Sequence, residues 1–133
     1  MGFGEYCRSL VKQLFLSYAI EDIESHVECE SFSLGVDQAI PCGLILNELV
    51  SNALKHAFPG GRSGTVNVSV RAPENRCCVQ VSDNGVGVPP GFDYRQCHTL
   101  GMQLVSTLTE QLNATLEFSG GAGVTVQVSF MRE

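Results

Sequence analysis

The chain has 133 residues, 44% of them apolar and 17% charged, with a net charge of −6. That length suits one domain with one core, and the mix excludes disorder. No apolar run approaches the ~18 residues of a membrane span, nothing at the start reads as a signal peptide, and the acidic balance excludes a stand-alone binder of nucleic-acid polymers.

In chain order, Tyr6, Leu10, Leu14 and Tyr18, with Val11 and Phe15 beside them, form one helical stripe and predict a helix over Gly4 to Ala19. Imperfect alternation then predicts a short strand near His26 to Phe32. Asp37 to Phe58 is the strongest helical stretch, with Pro41 in its first turns and Pro59-Gly60-Gly61 ending it. Val66, Val68 and Val70, then Val79 and Val81, predict two alternating strands joined by a turn at Ala72-Pro73-Glu74-Asn75. A glycine- and proline-rich loop covers Asp83 to Thr99. A second amphipathic helix over Leu100 to Leu112 leads to closing strands near Ala114 to Phe118 and Val124 to Met131, around Gly120-Gly121-Ala122-Gly123. Grouped strands of this kind predict an α+β fold: a two-layer sandwich in which a mostly antiparallel, mixed sheet is covered on one face by helices.

The charge is uneven. Residues 1–49 hold 8 acids and 2 bases, whereas residues 50–133 hold 6 of each. Glu21, Asp22, Glu24, Glu28 and Glu30 supply most of the excess, as a solvated face or linker or as a contact surface for a basic partner. The six cysteines, Cys7, Cys29, Cys42, Cys77, Cys78 and Cys97, contain no C-x-x-C pair and no regular interval. They read as reduced thiols used as small apolar residues, not as a disulfide framework or a zinc site with His26, His56 or His98.

Three features carry chemistry. Glu48, Asn52 and Lys55 or His56 follow at helical spacing and line one face. Their carboxylate and amide could hold Mg²⁺, which takes few protein oxygens and keeps waters and substrate phosphates, while Lys55 adds a charge for those phosphates. A solvent-facing polar stripe would carry the same spacing. Asp83-Asn84-Gly85-Val86-Gly87 follows a strand directly, so the backbone can turn closely around a ligand while the carboxylate accepts a hydrogen bond from it. Leu100-Gly101-Met102 opens a helix, whose unpaired N–H groups and positive dipole end suit phosphate. The chain contains neither G-x-G-x-x-G nor a P-loop.

In this order the three resemble the GHKL ATPases. Asn47 to Phe58 resembles their N box, Asp83-x-Gly85-x-Gly87 their first glycine box, and Leu100 to Val105 their second. The Lys-His-Ala-Phe-Pro ending and a short lid are most similar to the ATP-binding domain of sensor histidine kinases. The resemblance covers about residues 26–131 and sets a catalytic domain at 26–133. Residues 1–25 are then an N-terminal helix and acidic linker, either the tail of a dimerisation domain or a cap on the sheet.

The resemblance implies ATP and Mg²⁺ as cofactors. Asp83 would accept the adenine amino group, with Gly85 and Gly87 shaping the base pocket. Asn52 would coordinate Mg²⁺, with Glu48 helping through water. Lys55 would face the phosphates and His56 the adenine or ribose. Residues 89–99 would form the lid, and the helix start at Leu100, Gly101 and Met102 would bind phosphate. Relatives carry Gly-Thr near the last strand, with the Thr reaching adenine through water. Here Val124 follows Gly123, and Thr125 stands one place later, on the opposite side of a strand.

The activity implied is ATP-dependent phosphorylation of a histidine on a separate dimerisation domain. A response regulator would act downstream, in a cytoplasmic domain without membrane contact of its own, whether or not the full-length protein is membrane-attached. No phosphoacceptor histidine stands out here: His56 belongs to the N box, His98 to the lid, and His26 to a surface strand. Two alternatives stay open on these residues: a stand-alone protein-serine kinase resembling the anti-sigma-factor kinases, and a non-catalytic interaction module.

Overall fold

The computed structural model describes residues 2–18, 22–58, 60, 62–87 and 99–133. Among them the elements run α1 (Phe3–Tyr18), β1 (Ile23–Cys29), α2 (Val36–His56), β2 (Gly64–Arg71), β3 (Arg76–Asp83), α3 (Leu100–Gln111), β4 (Thr115–Gly120) and β5 (Val124–Met131). The expected lid, with Cys97 and His98, lies almost wholly outside the described residues.

Valines at every second position build the sheet. Val66, Val68 and Val70 of β2, Cys77, Val79 and Val81 of β3, and Val126, Val128 and Phe130 of β5 are all buried. Each such side chain, removed from water, contributes about 1.5–3 kcal/mol. The strands lie in the order β1-β2-β3-β5-β4, with β1 parallel to β2 and every other pair antiparallel. The turn between β2 and β3 closes through Arg76 N–H donating to Pro73 O (3.0 Å), with Glu74 at φ 55°. The opposite face of the sheet is polar, as in the cross-strand row Glu28, Ser69, Gln80, Gln127 and Glu117. This is the two-layer α+β architecture that grouped strands and amphipathic helices predict.

The helices cover the valine face. Cys42, Ile45, Leu46, Leu49, Val50, Ala53 and Leu54 turn inward along α2. Pro41 lies one turn inside that helix and removes its ladder bond to the Asp37 carbonyl. Phe3, Cys7 and Val11 of α1 are buried, and Phe3 N–H donates to Phe32 O (2.9 Å), so the first helix caps the sheet beside α2. The strand expected near His26 to Phe32 is found at Ile23–Cys29, three residues earlier. It is an edge strand with only Ile23 fully buried, so its apolar residues mark the strand weakly, and Phe32 packs on Phe3 instead (centroids 5.8 Å apart). Cys7, Cys42 and Cys77 are buried between these layers as free thiols, and burial pushes the Cys7 thiol far up.

Candidate nucleotide site

A cavity of about 300 Å³ opens between α2, the end of β3, the start of α3 and the β4–β5 pair. Its volume lies at the small end of ligand sites. Leu49 and Ala53 form its helical wall. Val81, Val126 and Phe118, which stand in one cross-strand row, form its sheet wall. Polar groups stand among these apolar walls: Asn52, His56, Asp83 and Thr99.

Asp83 is the last residue of β3 and is half-buried at the cavity. Its Oδ1 accepts the Gly85 N–H (2.9 Å). Burial pushes its carboxyl above the ordinary carboxylate value, and the backbone N–H groups of Gly85 and Val124 pull it partly back. The glycines after it are required by close packing. A Cβ on Gly85 would collide with the Ala57 carbonyl, which accepts from Val86 N–H (2.9 Å). Gly87 sits at φ 74°, and a Cβ there would strike the Gly121 carbonyl in the β4–β5 turn. The first glycine box is thus clamped between the end of α2 and the far hairpin.

The start of α3 meets the middle of α2. Thr99 is its N-cap, and Thr99 Oγ1 accepts from Met102 N–H (3.3 Å). A Cβ on Gly101 would lie 2.6 Å from Glu48 Oε2, so the Glu48 carboxylate rests beneath this helix start. Asn52, one turn after Glu48, donates from Nδ2 to Met102 Sδ (3.3 Å). A carboxylate and an amide one turn apart, beside an amide-rich helix start, suit Mg²⁺ with its phosphate ligands. Among the described residues no group of three or more His, Cys, Asp or Glu could hold a metal alone, so water and phosphate would have to complete the shell. The donor set present, an amide and a carboxylate oxygen, fits Mg²⁺.

Of the residues singled out from sequence, Asn52, His56, Asp83, Gly87 and Met102 line the cavity. Gly85 and Glu48 stand behind it, buttressing the Asp83 loop and the helix start. Lys55 and Leu100 are solvent-exposed and do not line it. Thr125 does not line it either: its partners are Ser82 and Ser119, one residue out of step with the cavity row. Strand alternation turns it to the polar face, and Val124 and Val126 line the cavity in its place.

Thr99 and Phe118 also line the cavity but are not among the sequence candidates. Threonine before an apolar helical run is a readable cap signal, whereas Phe118 needs the β4–β5 register to place it.

The chain is similar to longer signalling kinases. It is 34% identical to "Blue-light-activated histidine kinase 2" of Erythrobacter litoralis over 109 residues, covering 80% of this chain and 31% of that one. It is also 34% identical to "Sensor histidine kinase PdtaS" of Mycobacterium tuberculosis over 92 residues, covering 68% and 17%. The chain thus spans less than a third of either relative. Its structure matches the histidine kinase domain of the E. litoralis EL346 blue-light-activated kinase with a TM-score of 0.93 and 26% identity, over 99% of this chain and 62% of that one. Residues 37–133 match the family model described as "Histidine kinase-, DNA gyrase B-, and HSP90-like ATPase", and the chain belongs to that ATP-binding family.

Proposed function

We propose that this chain is the catalytic, ATP-binding domain of a sensor histidine kinase. In this reading it moves the γ-phosphoryl group of ATP to a histidine on a separate dimerisation domain, from which a response regulator is served. The observation that carries the reading is Asp83. It is a half-buried carboxylate at the end of an apolar cavity, with the two other family boxes arranged around the same space. Similarity to kinases named for histidine, over most of this chain, favours histidine over serine as the acceptor.

Asp83 accepts the adenine amino group, and Gly85 and Gly87 let the backbone close on the base. His56, at the exposed end of α2, lies toward the adenine or ribose. Leu100 and Gly101 present N-terminal amides of α3 to the phosphates, beside Met102, whose own amide the Thr99 cap takes up, and Lys55 adds charge near them. Asn52 would hold Mg²⁺ directly, with Glu48 helping through water. When bound, the metal neutralises charge gathering on the phosphates. Such transfer asks the protein for positioning and charge compensation more than for a nucleophile of its own. Residues 26–133 carry this site, and of the two readings of residues 1–25 the buried Phe3, Cys7 and Val11 favour a helix that caps the sheet, with β1 already begun at Ile23. No helix among the described residues is long and apolar enough to cross a membrane.

Titration calorimetry with ADP and with a non-hydrolysable ATP analogue tests the reading. Binding is expected, tightened by Mg²⁺. No binding at millimolar nucleotide would overturn it. With a histidine-bearing helical partner added, the phosphorylated product should be lost in acid; an acid-stable product would make the enzyme a serine kinase instead.

A further inference from the structure

Met102 joins two parts of the site that the chain keeps 50 residues apart. Its backbone N–H donates to the Thr99 cap at the start of α3, and its thioether sulfur accepts from Asn52 Nδ2 on α2. An asparagine amide has two faces of opposite character, and an amide free to rotate offers a metal its NH₂ as often as its oxygen. With Nδ2 committed to the sulfur, Oδ1 is the atom turned away from Met102, the only Asn52 side-chain atom able to ligate a cation. A leucine at position 102 would fill the same space without an acceptor.

We infer that Met102 is a positioning residue: its sulfur fixes the Asn52 amide with Oδ1 presented to the metal that accompanies the nucleotide. The inference rests on the ATP and Mg²⁺ reading of the site. Thioether sulfur is a weak acceptor, so the effect is a bias in amide orientation and not an absolute requirement. The same residue ties that orientation to the helix start, because a shift of α3 that carried Met102 away would release the Asn52 amide as well.

The test compares ADP affinity with and without Mg²⁺, by calorimetry, in the native chain, Met102→Leu and Met102→Gln. The native chain should bind ADP more tightly with Mg²⁺. Met102→Leu should lose roughly three- to tenfold of that enhancement, the size of one weak hydrogen bond, over and above any change in Mg²⁺-free affinity that its place in the cavity wall brings, with melting temperature nearly unchanged. Met102→Gln, which restores a side-chain acceptor for Nδ2, should recover part of the enhancement.

If Met102→Leu keeps the full enhancement, the inference fails while the metal reading stands. If it loses affinity equally with and without Mg²⁺, Met102 is a packing residue and the inference again fails. If the native chain shows no Mg²⁺ enhancement, the metal reading itself falls and the inference with it.

Discussion

At the scale of single residues, Asp83 sets a conflict between stability and binding. Half-burial penalises its charge, and the Gly85 and Val124 amides offset only part of the penalty. A carboxyl raised in the folded state costs stability at pH above its folded value, and the cost fades as pH falls through that value. Binding should run the other way, because the adenine amino group needs the ionised acceptor. ADP affinity should therefore begin to fall on acidification at a higher pH than the ordinary carboxylate value of 3.8 would dictate. Asp83→Asn removes both effects. We expect it to melt at the same temperature or higher, and to bind ADP roughly tenfold to a hundredfold more weakly, the value of a hydrogen bond to a charged acceptor. Calorimetry and a thermal melt read the two quantities; a melting temperature that fell along with affinity would point to a damaged fold. Gly87 works in the opposite sense, since its positive φ and its contact with Gly121 exclude a side chain. Gly87→Ala should cost about 1–3 kcal/mol of stability, measured by denaturant titration, and weaken ADP with it, because the strain falls on the loop that holds Asp83.

At the scale of elements, the question is which helices the core needs. Val11 is fully buried under α1, whereas Leu16 on the same helix is 71% exposed. Val11→Ala should cost about 2 kcal/mol in chemical denaturation and Leu16→Ala no more than about 0.5 kcal/mol. Equal small costs would mean that α1 is a tethered segment and not part of the domain. Periodicity made α1, α2 and α3 legible, because each alternates buried and exposed faces over several turns. The valine runs of β2, β3 and β5 were legible for the same reason at period two. Strand β1 was misplaced by three residues because an edge strand buries little and so carries a weak pattern. The polar half of the site was legible too, since Asn52 and Asp83 stand in local motifs with fixed spacing. Its apolar wall was not, because Phe118 reaches the cavity only through the pairing of β4 with β5, and pairing is a long-range fact. Thr125 shows the reverse case: its place one residue after Val124 already puts it on the opposite side of the strand, and the register agrees.

At the scale of the whole molecule, the charge of −6 acquires a location. Among the described residues the sheet ends on two edge strands, β1 and β4, and an exposed edge is a template for pairing with another chain. Glu24 and Glu28 stand exposed on β1, and Glu117 stands exposed on the short β4. Arg8 Nη1, reaching across from α1, takes up the Val27 carbonyl of β1 (3.3 Å). These are devices by which proteins discourage edge-to-edge association, so part of the acidic excess before residue 50 stands where it would protect a strand, with no partner required. The two explanations separate experimentally. Glu24→Val with Glu28→Val would make β1 a better strand former and strip its charge, whereas Glu5→Val with Glu110→Val removes the same charge from exposed helical positions. If the acids guard the edge, light scattering over a concentration series should show the β1 variant associating at concentrations where both the native chain and the helix variant do not. If the two variants associate alike, loss of net charge is sufficient and the edge has no special part. If neither associates, the acids of β1 are left for a basic partner, and that surface becomes the one to probe.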